Sequence, residues 1–295
     1  MQLSATKGHG TENDFVLVFD EQGTTSLKPA LVRYLCDRRA GIGADGVIRA
    51  VRAAHVPEGA GFDATAWFMD YYNADGSTSE MCGNGARVFA AFLEREAGVD
   101  LSEGLVIGTR GGARTLRSLG DGDYAVGMGP WSIAATEAGY DAEVTVPGLD
   151  QARPGLSVDV GNPHTVVAVV DHGELDGADL SRPPLVNPPP PHGTNVELVV
   201  PIGETTGADG ERRGHVRMRV HERGSGETRS CGTGACAVAL AVRSWAGDGA
   251  PTVWDVDVPG GRVTVRITGD QTILEGPAVL VADLTITIPA DVASR

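Results

Sequence analysis

The segments MCGNGARVFAAFL (Met81–Leu93) and SCGTGACAVALAV (Ser230–Val242) decide the fold that this sequence predicts. Each contains a cysteine followed by Gly-x-Gly and then by apolar residues at helical spacing. Cys82 and Cys231 are 149 residues apart, about half the length of the 295-residue chain. Each cysteine is therefore expected at the start of a helix, at the end of a glycine-rich turn.

The same offset relates other residues of the two halves, which indicates an internal repeat. A chain that folds as two copies of one unit places its equivalent loops around a pseudo-twofold axis. The sequence therefore predicts two pseudo-symmetric units with the active site in the cleft between them, where the two thiols face each other. The matching pairs are Asn13 and Asn162, Asn73 and Glu222, Gly98 and Gly247, and Gly127 and Gly276.

Many short apolar segments, separated by turn residues, surround one long helical segment in each half. This pattern predicts an α+β fold in which each unit is a curled, mainly antiparallel β-sheet around a central helix. A shorter helix is predicted over Pro29–Arg39, and the second cysteine helix over about Gly234–Ala246. The proline-rich stretch PPLVNPPPP (183–191) is expected to be a rigid surface loop.

Composition limits the classes of partner. The net charge of −15 disfavours nucleic acid and anionic membranes as partners. No stretch reaches the roughly 18 apolar residues of a membrane-spanning helix, and the first residues lack a secretory signal, so a cytoplasmic location is expected. Four cysteines in such a chain are expected to be reduced thiols. Only Lys7 and Lys28 are available to a Schiff-base cofactor such as pyridoxal phosphate, and no cofactor is expected.

The glycine-rich turns around Cys82 and Cys231 suggest proton-transfer chemistry. Backbone N–H groups at a helix N-terminus form a site for an anion such as a carboxylate, and this position is expected to lower the pKa of a cysteine thiol. One thiolate could then remove a proton from a carbon while the opposite thiol supplies one to the other face. Cys36 and Cys236, by contrast, lie in apolar helical segments and are expected in the core.

Two other motifs are set aside. GIGADG (Gly41–Gly46) matches the G-x-G-x-x-G pattern of nucleotide-binding loops, but it follows a predicted helix where that motif follows a buried strand. The histidines and cysteines show no C-x-x-C or H-x-x-x-H spacing, so no metal site is expected.

Several motifs together resemble the diaminopimelate epimerase family of cofactor-independent amino-acid epimerases, nearly end to end. In that family the last strand returns to the first unit, which implies units of residues 1–128 plus 277–295 and of residues 129–276. The motifs that carry the resemblance are HGTENDF (His9–Phe15), YNADGS (Tyr72–Ser77), MCGNGAR (Met81–Arg87), GNPH (Gly161–His164), TNVE (Thr194–Glu197), HERGSGETRSCGTGA (His221–Ala235) and PGG (Pro259–Gly261).

The resemblance implies interconversion of LL- and meso-diaminopimelate in lysine and peptidoglycan precursor synthesis. Cys82 and Cys231 match the catalytic thiols, while His164 and Glu222 match a pair thought to tune these thiols or guide protons. Backbone groups of four residues are implied for the reacting carboxylate: Gly83, Asn84, Gly232 and Thr233. Side chains implied for the rest of the substrate, largely its distal end, are Asn13, Asn73, Asn162, Asn195, Glu222 and Arg223.

Some questions stay open at the level of sequence. A proline racemase-like enzyme on the same scaffold is the nearest alternative, and a thiol-based redox or binding protein is a more distant one. The chain departs from the family pattern at Glu12, where many members carry glycine, at Gly46, and in the proline run Pro188–Pro191. Which thiol acts as base, how far the units close on substrate, and whether the chain forms a homodimer are not determined.

Overall fold

A computed structural model describes residues 2–134, 136–207, 210–290 and 292. The longer helices are α1 (Pro29–Cys36), α2 (Gly83–Ala97), α3 (His172–Gly177) and α4 (Gly232–Ala246). Two 3₁₀ helices span Ala53–His55 and Pro57–Gly61. Strands β1–β10 span Gln2–Gly10, Asn13–Phe19, Gly46–Arg52, Trp67–Asn73, Leu105–Ile107, Arg114–Gly120, Asp123–Pro130, Ser132–Ile133, Ala142–Thr145 and Arg153–Asp159. Strands β11–β19 span Pro163–Ala168, Leu185–Asn187, Asn195–Thr206, Arg212–Glu222, Gly226–Thr228, Val253–Val258, Gly261–Thr268, Gln271–Pro277 and Val279–Thr287.

The chain forms two compact units. The first contains Met1–Val126 and Gly276–Arg295, and the second contains Gly127–Glu275. The sequence predicted the first unit to end at residue 128 and to resume at residue 277. These positions lie two residues and one residue further along the chain than the observed ones. Gly127 and Gly276, where the chain passes from one unit to the other, are themselves separated by the repeat offset.

In the first unit, the strand order β19-β1-β2-β3-β4 makes a five-stranded sheet. Only β2 and β3 run parallel in it; the other neighbours are antiparallel. In the second unit the order is β12-β9-β10-β11-β13-β14-β16-β17-β18, with parallel pairs at β11–β13 and β14–β16. The expected mainly antiparallel α+β architecture with one long helix per unit is confirmed.

The repeat extends to individual strand pairs. Phe15 pairs with Gly46, and the residues 149 positions later, His164 and Asn195, pair in the same way. The isolated bridge between Phe68 and Gly108 has its equivalent between Arg217 and Asp257. The two units therefore share register as well as topology, as two copies of one folding pattern should.

Each long helix has 15 residues and packs against the sheet of its own unit. In α2, Phe89 and Leu93 are fully buried, and in α4 Val238 occupies the equivalent of Phe89. Burying each such side chain contributes roughly 1.5–3 kcal/mol. This packing holds the N-terminal turn of each helix, with its cysteine, in a fixed position.

Some predicted elements were wrong in extent. Helix α1 ends at Cys36, three residues before the predicted Arg39, because Asp37 is extended and its carboxylate accepts the N–H groups of Arg39 and Ala40. Helix α4 begins two residues before the predicted Gly234. Within the proline-rich stretch, Leu185–Asn187 forms strand β12 against β9. Among the described residues no helix is long and apolar enough to cross a membrane.

Candidate active site

Cys82 caps helix α2. Its backbone is extended (φ −133°, ψ 121°), so the helix begins at Gly83. The Sγ atom accepts the Gly85 N–H at 3.4 Å, and the Cys82 carbonyl accepts the Ala86 N–H at 2.8 Å. The sulfur thus takes the place that a serine or aspartate oxygen usually occupies at a helix N-cap. Gly83 and Asn84, which the resemblance implies for the reacting carboxylate, form the first turn.

Asn13 joins Cys82 to an acidic cluster. Its Oδ1 accepts from the Cys82 thiol at 3.6 Å and from Asn84 Nδ2 at 3.3 Å. Its Nδ2 donates to Asp45 Oδ2 at 2.8 Å. Burial raises the pKa of Asp45, but the Arg38 guanidinium 2.7 Å away favours its carboxylate form. A carboxylate only accepts hydrogen bonds, so Asp45 fixes this amide with its oxygen towards the thiol.

Asp45 is itself held by ion pairs. The Arg38 guanidinium reaches Asp14 at 2.8 Å and Asp45 at 2.7 Å, and Lys7 binds Asp14 at 2.6 Å. Burial alone raises the pKa of Asp14, but hydrogen bonds from Arg38 and Lys7 outweigh it and hold that pKa well below its usual range. Asp45 lies in the GIGADG segment, whose sequence pattern did not place it at this site. It was missed as a site residue because its contact with Asn13 depends on strand β3, which was not predicted.

The other predicted residues of the first unit have structural partners. Asn84 accepts from the fully buried Arg87 at 2.8 Å, and this guanidinium also reaches Thr11 Oγ1 at 3.2 Å. Asn73 ends strand β4, and its amide donates to Ser77 Oγ at 3.0 Å. Its side chain therefore closes the turn that leads towards Cys82.

Two of the departures from the family pattern have a conformational meaning. Glu12 has a φ of +63°, in the left-handed region where glycine is favoured. A Cβ atom on Gly46 would lie 2.6 Å from both the Tyr71 ring and the Tyr72 carbonyl oxygen. This strand position therefore requires glycine unless Tyr71 and the β4 backbone shift.

Cys231 caps helix α4 in the same way as Cys82 caps α2. Its Sγ accepts the Gly234 N–H at 3.3 Å and lies 3.5 Å from Thr233 Oγ1. Gly232 and Thr233 form the first turn of the helix. The residue is 7% exposed, so this thiol is largely withdrawn from water.

A chain of polar contacts leads from Cys231 into the core. Asn162 Nδ2 donates to Thr233 Oγ1 at 3.3 Å, and Asn162 Oδ1 lies 3.0 Å from His164 Nε2. His164 Nδ1 is in turn 2.7 Å from Glu197 Oε1. The structure thereby brings three of the predicted residues, Asn162, His164 and Thr233, together at the second thiol.

Glu197 was not predicted as a site residue, although it closes the TNVE motif. It is two positions after Asn195, with both side chains on one face of β13. The offset of 149 residues pairs it with Ile48. A glutamate at the repeat equivalent of a strand isoleucine is the signal that could have identified it.

The expected lowering of the cysteine pKa is wrong for Cys231. Burial raises the pKa of this thiol well above its usual value, and the charges of Glu222 and Glu197 raise it further. Hydrogen bonds from Thr233 and Gly234 act in the opposite direction but are weaker. Cys231 is therefore a neutral thiol at pH 7, because desolvation outweighs the helix N-terminus.

The remaining predicted residues of the second unit lie at the ends of β13 and β14. Asn195 Oδ1 accepts the Arg223 N–H at 2.9 Å, and Asn195 Nδ2 donates to the Pro163 carbonyl at 3.2 Å. The Arg223 guanidinium, which is exposed, donates to the His192 carbonyl at 2.6 Å. The Glu222 carboxylate accepts from the Thr228 hydroxyl.

Metal binding has no candidate within the described part of the chain, since no three histidine, cysteine or acidic side chains are grouped there to hold an ion.

Solved structures define the class of protein by its fold. A phenazine biosynthesis protein of the PhzF family from Bacillus anthracis superposes with a TM-score of 0.67 at 15% identity, over 98% of this chain and 100% of that chain. A probable proline racemase from Agrobacterium radiobacter superposes with a TM-score of 0.62 at 14% identity, over 97% of this chain and 93% of that chain. The class is an α+β protein of two sheet-rich pseudo-repeat units.

Sequence relatives identify the family within this class. The profile described as diaminopimelate epimerase matches residues 5–134 and 156–281. A diaminopimelate epimerase of Streptomyces coelicolor is 49% identical over 292 residues, which cover 96% of this chain and 94% of the relative. One of Thermobifida fusca is 44% identical over 290 residues, covering 96% and 98%. The chain belongs to the diaminopimelate epimerase family, and the resemblance found in the motifs is confirmed.

Proposed function

We propose that this protein interconverts LL- and meso-diaminopimelate by moving the proton at one α-carbon, with Cys82 and Cys231 as the two acid–base groups. The observation that carries the proposal is the matched pair of capping cysteines. Each sulfur accepts an N–H at the start of a 15-residue helix, 149 residues apart, in a chain of the diaminopimelate epimerase family. The substrate is a small molecule and the enzyme is an isomerase.

The exchange needs one thiolate and one thiol on opposite faces of the α-carbon. The neutral state of Cys231 supports its role as the acid, and Cys82, whose S–H donates to Asn13 Oδ1, must then lose its proton to act as the base. The thiolate takes the α-proton, and the electron pair of the C–H bond moves into the carboxylate as an enolate. The opposite thiol then gives its proton to the other face, so that the thiolate and the thiol have exchanged places.

Charge on the enolate would be stabilised at the helix N-termini. The first N–H groups of an α-helix have no partner within the helix and attract anions. In α4, Cys231 accepts the Gly234 and Ala235 N–H groups, and we assign the stabilising role to the preceding N–H groups of the turn, those of Gly232 and Thr233. We assign Gly83 and Asn84 the equivalent role in α2. Donors aimed at developing charge are a large source of catalysis in such sites.

Recognition of the distal amino-acid group is assigned to the side chains that the resemblance implies. Amide groups and a guanidinium can bind a carboxylate and an ammonium together, which selects the stereochemistry of the far end. Each amide keeps hydrogen-bonding capacity beyond its intramolecular contacts, since an asparagine has two N–H groups and two lone pairs. The assigned residues are Asn13, Asn73, Asn162, Asn195, Glu222 and Arg223.

The reaction is proposed to run without pyridoxal phosphate in a reducing cytoplasm. A Schiff base needs an available lysine, and the Lys7 ammonium is bound to Asp14 at 2.6 Å. Lys28 lies at the start of α1, at its N-cap. Two catalytic thiols, in turn, require a compartment in which cysteines stay reduced.

The test is incubation with LL-diaminopimelate in deuterated water. The wild-type protein should form the meso isomer with deuterium at the inverted carbon. Cys82→Ser and Cys231→Ser should each lower label incorporation and epimerisation by roughly 10²–10⁴-fold, because each removes one acid–base group. Cys36→Ala is the matched control, since Cys36 is a buried thiol of the first-unit core. Normal labelling in the Cys82→Ser variant would refute the two-base reaction.

A proline racemase-like activity is the alternative that the shared fold favours. Proline and hydroxyproline have no distal ammonium and carboxylate for the assigned asparagines and Arg223. Parallel assays with both amino acids decide between the substrates. Turnover of proline but not of diaminopimelate would overturn the substrate assignment while leaving the two-thiol reaction in place.

A further inference from the structure

Glu197 is a buried carboxylate that no step of the proposed reaction uses. It is fully buried, and while Oε1 contacts His164, its Oε2 has no hydrogen-bond partner among the residues the structure describes. A Cβ atom on Gly234 would lie 2.8 Å from Glu197 Oε1, so the carboxylate lies against the first turn of α4. An acidic group that is buried with an unpartnered oxygen destabilises a folded protein, so its presence at this position needs an explanation. Its position next to the Cys231 helix turn suggests that it acts on Cys231.

The first unit has no counterpart of this group. The residues 149 positions before His164 and Glu197 are Phe15 and Ile48. Both are fully buried, and together with Met69 they surround the position where a Cβ on Gly85 would lie. The first turn of α2 is therefore backed by hydrocarbon, whereas that of α4 is backed by an imidazole and a carboxylate.

The contacts of His164 fix where its protons lie. Asn162 donates from Nδ2 to Thr233 Oγ1, so its Oδ1 faces His164. An amide oxygen only accepts hydrogen bonds, so His164 Nε2 must carry a proton and donate it to Asn162 Oδ1. The remaining proton of the pair lies between His164 Nδ1 and Glu197 Oε1, 2.7 Å apart. Thr233 Oγ1 accepts from Asn162 and therefore keeps its hydroxyl hydrogen and one lone pair for Cys231. When Cys231 is a thiolate, the Thr233 hydroxyl can donate to Sγ. When Cys231 is a thiol, Thr233 Oγ1 can accept its S–H.

We propose that Glu197 is a positioning residue for Cys231. It orders the chain His164–Asn162–Thr233 that ends at the sulfur. Although the His164–Glu197 pair is neutral as a whole, its carboxylate lies against the first turn of α4, where it keeps the proton on this thiol. This inference rests on the proposed function for its meaning in catalysis, but not for its measurement.

Three ionisable side chains from the strands packed against α4 bear on Cys231: His164 of β11, Glu197 of β13 and Glu222 of β14. Both glutamates raise the pKa of the thiol. Removing the carboxylate of Glu197 from the first turn of α4 should therefore lower the pH at which Cys231 ionises, with Glu222 left in place.

The experiment measures alkylation of Cys231 by iodoacetamide as a function of pH, without substrate, with the site of reaction mapped by mass spectrometry. Only the thiolate reacts, so the midpoint of the profile reports the pKa of Cys231 whatever its accessibility. In Glu197→Gln, the amide can donate to His164 Nδ1 and keep the ring in place, while the carboxylate and the proton it shares with His164 are lost together. The carboxylate is the group against the first turn of α4, so the midpoint should fall and alkylation at a fixed pH below it should become faster, by several-fold.

Two variants serve as controls. Glu204→Gln removes the same charge from the exposed end of β13, where Glu204 pairs with Arg212, and should leave the profile unchanged. Glu197→Asp keeps the charge and should leave the midpoint close to that of the wild-type protein. If Glu197→Gln cannot be purified folded, Glu197→Met removes the charge with an unbranched apolar side chain, and the same fall is expected.

An unchanged midpoint in the folded Glu197→Gln or Glu197→Met protein would overturn the inference. An equal fall in Glu204→Gln would overturn it too, because the effect would then come from net charge alone. Neither result bears on whether the wild-type protein epimerises diaminopimelate, so failure of this inference and failure of the proposed function remain distinguishable.

Discussion

The amide of Asn13 shows how a single contact sets the direction of a catalytic group. Its oxygen faces Cys82 because its nitrogen is held by the Asp45 carboxylate at 2.8 Å. In the second unit, no carboxylate of the described residues holds Asn162 in this way, and its amide is oriented between His164 and Thr233 instead. The two equivalent asparagines thus reach the two thiols through different supporting residues.

Replacement of Asp45 tests this orientation. Asp45→Ala frees the Asn13 amide to rotate, so kcat/KM for the proposed reaction should fall roughly ten- to hundredfold, as expected when a positioned group is lost. Steady-state kinetics with LL-diaminopimelate measures the change. Asp37→Ala is the control, because the Asp37 carboxylate binds only the N–H groups of Arg39 and Ala40 among the described contacts. Equal kcat/KM values for the two variants would contradict the assigned role.

Helices α2 and α4 begin alike and end differently. Both start at a cysteine N-cap, and both are followed by a glycine, Gly98 and Gly247. Gly98 has φ 61° and ψ 28°, the left-handed helical conformation that ends many helices. Gly247 has φ 78° and ψ −160°, a region of backbone conformation that is essentially restricted to glycine.

This difference predicts that replacing each glycine by alanine lowers the free energy of unfolding by a different amount. Gly98→Ala should destabilise the protein by about 1 kcal/mol, whereas Gly247→Ala should cost about 2–3 kcal/mol. A Cβ atom at either glycine would meet no atom within 4 Å, so packing does not confound the comparison. Urea unfolding of both variants gives the free energies of unfolding. A larger loss for Gly98→Ala than for Gly247→Ala would contradict the backbone argument.

At the scale of the whole molecule, each unit depends on distant parts of the chain. Strand β19, near the C-terminus, pairs with β1 along eight residue pairs, from Gln2 with Thr287 to His9 with Val279. The first unit is therefore completed only after the second has been synthesised. The chain passes between the units at Gly127 and again at Gly276, which are equivalent positions of the repeat.

The proposed reaction brings both thiols to one carbon, and it predicts sensitivity to oxidation. Peroxide should remove the two thiol hydrogens and join Cys82 to Cys231 as a disulfide, with loss of activity that dithiothreitol restores. Peptide mapping identifies the bond, and the Cys36→Ala variant should behave like the wild-type protein. Inactivation that dithiothreitol cannot reverse, with no Cys82–Cys231 peptide, would count against two opposed thiols.

Local patterns in the sequence were sufficient for the helices that carry the cysteines and for the repeat. The start of each cysteine helix depends on the glycines around Cys82 or Cys231 and on the spacing of the apolar residues that follow. These residues are near neighbours in the sequence, so the sequence alone predicts both helices. The equivalence of Asn13 with Asn162 is likewise readable from their spacing. Strand β3 was not predicted, because GIGADG at its start is typical of a turn. The residues that follow form a strand through their pairing with β2 and β4 on either side.

Tertiary structure alone decided the electrostatics of the site. Asp45 reaches Asn13, and Glu197 reaches the first turn of α4, because strands distant in sequence are neighbours in their sheets. The same holds for the protonation of Cys231, for which the sequence predicted a lowered pKa. A helix N-terminus acts locally, whereas burial and the charges of Glu197 and Glu222 depend on what the fold packs around the sulfur.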